Sequence, residues 1–213
     1  MRQPRDWSLY LVIDARLAAP RSIEDVVRAA LRGGVSAVQL RDKECPTRNF
    51  VELARGLKAI LGPAGVPLVV NDRVDVALAA GADGVHIGQS DMEHRDARRL
   101  LGPDAVIGLS VETLEQAERA ASLDVDYFGV GPVFPTPTKA DAAPAWGLER
   151  LAALRRASRH VLVAIGGIDL ENAGATIRAG ADGIAVVSAI CAAPDPERAT
   201  RELRAAISGA RRA

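Results

Sequence analysis

Residues 80–88 read AGADGVHIG, and residues 179–187 read AGADGIAVV. In both, a small-residue helix end passes through a Gly turn into a short apolar run. LRGGVSAVQ at 31–39 and LDVDYFGVG at 123–131 are weaker versions of the same string. Glycine stops the helix, and Asp83 and Asp182 read as turn residues whose carboxylates bind backbone. The echo speaks to architecture: one helix–turn–strand unit used repeatedly.

Working outward, strand patterns fall at 9–14, 37–41, 67–71, 84–88, 106–110, 127–131, 160–165 and 184–188. Helical patterns cover 23–34, 47–61, 73–80, 93–101, 113–122, 147–157, 170–179 and 195–208. Ser22 is a natural N-cap for the first helix, and Gly33-Gly34 stop it. Strands that alternate with helices over short links must run parallel. Eight such units in 213 residues predict an α/β fold, a single (β/α)8 TIM barrel spanning 1–213. An open doubly wound sheet is the alternative. It usually has fewer units and a Gly-rich first turn, which this chain lacks.

Alternation within the strands is more telling. Val38, Leu40, Val85, Ile87, Ile107, Leu109, Phe128 and Val130 share one type of face. The other face carries Gln39, Arg41, His86, Gly88, Gly108, Ser110, Tyr127, Gly129 and Gly131. The apolar face suits packing under helices, so a barrel must turn the other face inward. A barrel built for stability alone would fill its interior with Val, Ile and Leu. This one predicts a roomy upper layer that holds a ligand, with His86 as a hydrogen-bonded inward residue.

Composition narrows the function. Lys plus Arg and Asp plus Glu both number 27, hydrophobic residues make up 48% and aromatics 3%. Zero net charge and so few aromatics argue against nucleic-acid binding, whether electrostatic or by stacking. No apolar run reaches the ~18 residues of a membrane span, and the N-terminal apolar stretch is too short for a secretory signal. Cys45 and Cys191 are far apart and His86, His94 and His160 lack metal spacing, so a disulfide framework or thiolate site is not expected and a cytoplasmic location fits. GxGxxG, GxxxxGK[ST] and GxSxG are absent.

Barrel enzymes place their chemistry at the C-terminal strand ends. Those ends carry Gln39-Leu40-Arg41-Asp42-Lys43, Asn71-Asp72-Arg73, Gly88-Gln89-Ser90-Asp91, Ser110, Thr136-Pro137-Thr138-Lys139, Gly166-Gly167 and Val187-Ser188. Asp72 and Asp91 fit a Mg2+ site, since Mg2+ takes one or two carboxylates and leaves its other positions to water and phosphate. Arg41, Lys43 and Lys139 add positive charge around the same mouth, which suits a diphosphate. Gly166-Gly167 and Val187-Ser188 suit a second phosphate held on backbone N–H groups. PTPTKADAAPAWG (135–147) reads as a mouth loop able to close over a ligand.

NDRVDVALAAGADGVHIGQSD, QLRDK, GVGPVFPTPTK, AIGGI and GIAVVSAI closely resemble thiamine-phosphate synthase (thiamine-phosphate pyrophosphorylase) sequences, in the same order from about Tyr10 to about Ile190. The resemblance implies a transferase that joins a pyrimidinylmethyl diphosphate to a thiazole phosphate, carboxylated or not, releasing diphosphate. It implies that Gln39, Leu40, Arg41, Asp42, Lys43 and Asn71 bind the pyrimidine diphosphate and that Asp72 and Asp91 bind Mg2+. Ser110 and Lys139 match further diphosphate contacts. Thr136, Pro137, Thr138, Gly167, Val187 and Ser188 match the thiazole phosphate site. The implied mechanism is dissociative: diphosphate departs, and the thiazole nitrogen attacks the cation left behind. Arg41, Lys43 and Lys139 act as its electrostatic catalysts.

Two positions depart from the pattern: Glu112 stands where many relatives carry His, and Ala145-Trp146 replace smaller residues. A thiazole tautomerase of the same barrel family and a non-catalytic phosphate-binding barrel are the competing readings. The expected partners are small molecules, with room for a homo-oligomer.

Overall fold

The computed structural model describes residues 5–136 and 144–212. Eight strands form a closed parallel barrel in chain order: β1 (Leu9–Ile13), β2 (Ala37–Leu40), β3 (Leu68–Asn71), β4 (Gly84–Ile87), β5 (Val106–Val111), β6 (Tyr127–Val130), β7 (Val161–Ile165) and β8 (Gly183–Val186). Closure comes from β1 pairing with β8, Tyr10 opposite Ala185. The helices wrap the outside: α1 (Ala15–Ala18), α2 (Ile23–Gly33), α3 (Thr47–Leu61), α4 (Val74–Ala80), α5 (His94–Leu101), α6 (Leu114–Ala120), α7 (Gly147–Ala157), α8 (Leu170–Arg178), α9 (Ser188–Cys191) and α10 (Pro196–Ala210).

The eight strands and eight long helices match the sequence patterns to within a few residues. The one-turn helices α1 and α9 and a 3-10 turn at Gly62–Ala64 were not anticipated, because four residues or fewer carry no readable period. Helix α2 starts and stops as its sequence says. Ser22 accepts a hydrogen bond from the Asp25 N–H, and Gly34 closes the end in the left-handed region at φ 94°. Gly33 has a different job: a Cβ there would lie 2.5 Å from Thr200 Cβ, so glycine lets α2 sit directly against α10.

The strand alternation divides the protein into two cores. Leu11, Val38, Leu40, Val70, Val85, Ile87, Ile107, Phe128 and Ile184 face outward and pack with helix residues such as Val27, Phe50, Leu57 and Leu151. Inside the barrel, Trp7, Tyr10, Val69, Val106, Tyr127 and Val163 fill the lower half. Trp7 and Tyr127 pack with ring centroids 4.6 Å apart and planes tilted by 36°, and plug the bottom. The upper half is left to polar and small residues, as the alternation predicts.

The AGADG echo is a repeated brace at the bottom of the barrel. Asp83, before β4, accepts from the Leu68 N–H at the start of β3 (2.8 Å) and from Lys58 on α3 (2.7 Å). Asp182, before β8, accepts from the Leu162 N–H (2.8 Å) and from Arg155 on α7 (2.9 Å). Asp126, before β6, repeats this with the Ile107 N–H (2.8 Å) and Arg98 on α5 (3.1 Å). Ser36, before β2, accepts from the Leu9 N–H at 2.9 Å. Each even strand is thus tied to the odd strand before it. Asp83→Ala leaves the Leu68 N–H and the Lys58 ammonium without their acceptor, and is expected to lower stability by about 1–3 kcal/mol in urea denaturation. A loss under half that size would mean the brace is solvated decoration.

Candidate active site

A cavity of about 740 Å³ opens at the C-terminal ends of the strands and takes lining residues from all eight strands or the loops that follow them. That size suits small-molecule sites, which run from about 300 to 1,000 Å³. Gln39, Arg41, Lys43, Asn71, Asp72, Asp91, Ser110, Thr136, Gly167, Val187 and Ser188 all line it. Pro137, Thr138 and Lys139 lie outside the described residues.

Asp72 and Asp91 end neighbouring strands and face each other. Asp72 has a left-handed backbone (φ 60°), a conformation aspartate adopts more readily than most residues. Its N–H is tied to the His86 carbonyl at 2.8 Å. Asp91 Oδ2 accepts from the Gly88 N–H at 2.6 Å. Burial, then the Asp91 charge and a hydrogen bond with it, push the Asp72 carboxyl up to about 6; Lys43 and Arg41 pull the other way. Two hard oxygen donors whose charges repel are a donor set that Mg2+ fits. Among the described residues no group of three or more His, Cys, Asp and Glu is placed to hold a metal. A cation held by this pair would therefore take its remaining ligands from water and substrate.

The cations follow the neighbouring strand β2. Arg41 is anchored by Asp14, with Nη1 donating to Oδ2 at 3.1 Å. Asp14 is a 4%-exposed carboxylate at the end of β1 that also caps α1 and meets Arg16 at 3.4 Å. Lys43 is exposed at the mouth. Two members of the 39–43 stretch point their side chains away from the cavity. Leu40 is fully buried in the outer core because strand alternation points it at the helices. Asp42 accepts from the N–H groups of Glu44 and Cys45, both at 3.0 Å, and caps a turn away from the cavity lining.

The inner wall is polar and fully bonded. Gln39, Tyr10, Tyr127, His86 and Ser110 form one hydrogen-bonded chain. Burial holds the His86 imidazole down at about 4, so it is neutral at ordinary pH, and burial raises both phenols above their usual range.

On the other side, Gly166 (φ 98°) and Gly167 (φ 63°) need glycine twice over. A Cβ at Gly166 would lie 2.5 Å from Pro132 Cβ, and one at Gly167 2.6 Å from the Pro135 carbonyl. Val187 and Ser188 open α9 beside them. Trp146 is buried and fixes the far end of the mouth loop, its Nε1 donating to the Glu112 carbonyl (2.7 Å) and its N–H to the Pro132 carbonyl (2.8 Å). The departures at Glu112 and Trp146 are therefore in contact with each other. Sequence reasoning missed Asp14, although it is the last residue of the strand pattern 9–14. It also missed Tyr10 and gave no role to Gln89, which donates to the Ser110 carbonyl at 2.7 Å.

The raised Asp72 carboxyl has a signed consequence. The folded protein holds that proton more tightly than the unfolded chain, so its contribution to stability is present at low pH and lost as pH rises through about 6. Mg2+ held at this pair would compete with the same proton. Thermal unfolding is expected to show a larger Mg2+-induced rise in Tm at about pH 8 than at about pH 5, and Asp72→Asn should abolish the difference. Equal shifts in both proteins would remove Asp72 from the cation site.

Comparison with known proteins gives a consistent result. The thiamine monophosphate synthase family pattern matches residues 9–190. Thiamine-phosphate synthase of Albidiferax ferrireducens is 59% identical over 92% of this chain and 90% of its own length. That of Xanthobacter autotrophicus is 55% identical over 99% of this chain and 100% of its own. The solved thiamine phosphate pyrophosphorylase of Pyrococcus furiosus superposes with a TM-score of 0.88 at 40% identity, covering 97% of this chain and 98% of that one. On its barrel, its strand-end residues and these likenesses, the chain belongs to the thiamine monophosphate synthase family.

Proposed function

We propose that this chain is a thiamine-phosphate synthase, a transferase of thiamine biosynthesis that moves a pyrimidinylmethyl group from its diphosphate to the nitrogen of a thiazole phosphate. One observation carries the reading: a carboxylate pair and two cations, Arg41 and Lys43, converge on the same cavity as Gln39, Asn71 and Ser110. The close relatives bearing the synthase name disfavour the tautomerase and the non-catalytic barrel.

The chain's own residues divide the work. Asp72 and Asp91 would hold Mg2+, which when bound supplies positive charge to a diphosphate. Arg41, oriented by Asp14, and Lys43 would bind that anion from the end of the adjacent strand, with Lys139 proposed as a third cation. The bond between the methylene carbon and the diphosphate oxygen breaks, and its electron pair leaves with the diphosphate. Negative charge grows there, so fixed cations and donors lower the barrier. Gln39 and Asn71 orient the pyrimidine by hydrogen bonds. The thiazole nitrogen then donates its lone pair to the exposed carbon, so no side-chain nucleophile is needed. Gly167, Val187, Ser188, Thr136 and Thr138 are proposed to seat the thiazole phosphate. The widely spaced Cys45 and Cys191 support a cytoplasmic setting, and no described helix is long and apolar enough to cross a membrane.

The test is formation of thiamine phosphate and diphosphate from the two substrates, with Mg2+ and in chelator. Turnover is expected with Mg2+ and not in chelator; full turnover in chelator would overturn the cation's role. Arg41→Gln is expected to lower turnover by roughly 100-fold or more. Arg73→Gln serves as the control, since Arg73 pairs with Asp75 (2.6 Å) outside the cavity lining. Equal effects of the two substitutions would contradict the placing of Arg41.

A further inference from the structure

The hydrogen-bonded chain on the inner wall has a direction. Gln39 Nε2 donates to Tyr10 Oη at 3.2 Å. Tyr10 Oη meets Tyr127 Oη at 3.0 Å, Tyr127 Oη meets His86 Nδ1 at 3.0 Å, and His86 Nε2 meets Ser110 Oγ at 2.9 Å. A hydroxyl owns one proton, and a neutral imidazole owns one N–H. His86 has hydroxyl partners on both ring nitrogens and no carboxylate in hydrogen-bond contact among the described residues, which suits the neutral ring. With the amide of Gln39 donating at one end, each later link follows. Tyr10 gives its proton to Tyr127, Tyr127 gives its proton to Nδ1, and His86 carries its own on Nε2. Any other order leaves one hydroxyl proton with no acceptor among the five side chains, which costs free energy.

The direction decides what Ser110 shows to the cavity. When Nε2–H donates to Ser110 Oγ, the serine proton is left to turn toward a ligand. In the opposite direction Ser110 would spend its proton on His86 and offer lone pairs, which repel an anion. We propose that these five side chains are a one-way relay, in which His86 as the Nε2–H tautomer makes Ser110 a committed donor to an anionic oxygen. His86, Tyr127 and Tyr10 are then positioning residues that act through Ser110. Naming the anion as the departing diphosphate rests on the proposed function; the direction of the relay does not.

The barrel makes special room for this arrangement. A Cβ at Gly108 would lie 2.2 Å from Tyr127 Cζ and 2.5 Å from His86 Nδ1. A Cβ at Gly129 would lie 2.7 Å from His86 Cε1. Gly108 stands opposite His86 in the β4–β5 register and opposite Tyr127 in the β5–β6 register. Strand interiors disfavour glycine unless something must approach closely. Here the approaching groups are the two central members of the relay.

The deciding experiment is the tautomer of His86 in the ligand-free wild-type protein, read by proton–nitrogen correlation NMR on histidine-labelled material. The chain has three histidines, and the His86 signals are identified by their loss in His86→Gln. A bare Nδ1 and a protonated Nε2 are expected; the reverse overturns the relay. A mutant cycle supplies the functional arm. Ser110→Ala is expected to lower kcat by roughly 100-fold. His86→Asn is expected to fall by a similar factor, and the double variant no further than Ser110→Ala alone. Losses that multiply would show that His86 does not act through Ser110 and would overturn the proposal. If His86→Asn fails to fold, the wild-type NMR result still decides. If the wild type makes no thiamine phosphate, the proposed function fails while the tautomer still tests the relay.

Discussion

Two carboxylates held face to face repel each other, and the open end of this barrel is arranged around that repulsion. Asp72 is driven up to about 6 by burial and by Asp91. Left alone, the pair would relax by taking up a proton or by splaying apart. Backbone contacts oppose the splaying: the Asp72 N–H is tied to β4, and Asp91 is held by the Gly88 N–H. Arg41 and Lys43, at the end of the adjacent strand β2, offset part of the charge. The cation and phosphorylated ligand proposed for the chain would complete the balance.

Arg41 illustrates how the barrel controls such charges. A guanidinium facing an open cavity would wander among rotamers. Asp14, at the end of the neighbouring strand, fixes one nitrogen and leaves the others available. The pair joins β1 to β2 just above their last aligned residues, Ile13 and Leu40. Stability and function meet in one contact there, whereas the Asp83, Asp126 and Asp182 braces at the opposite end hold strands together far from the cavity. The two ends of the barrel use the same carboxylate–cation chemistry for different purposes.

Much of this was legible in the sequence because a barrel strand has a period of two and a fixed inside and outside. Gln39, His86 and Ser110 could be assigned to the interior from alternation, and Asp72 and Asp91 to the mouth from strand ends. Leu40 obeyed the same rule, its side chain packing under the helices. Asp42 lies outside the cavity lining, and its carboxylate accepts from two backbone N–H groups. Local hydrogen bonding of that kind competes with ligand contact and has no signature in a list of charged residues.

The sequence by itself determined the number of units, the parallel order and the face each strand side chain takes, because these follow from local periodicity and from the crossovers that parallel strands require. Tertiary structure alone decided the partners: that Asp14 holds Arg41, that Gly108 and Gly129 clear space for His86 and Tyr127, and that five side chains distant in sequence form one hydrogen-bonded line. The physical reason is closure of the barrel. Closure sets the lateral register between strands, and register, which no single strand encodes, determines which inward groups come within reach of one another.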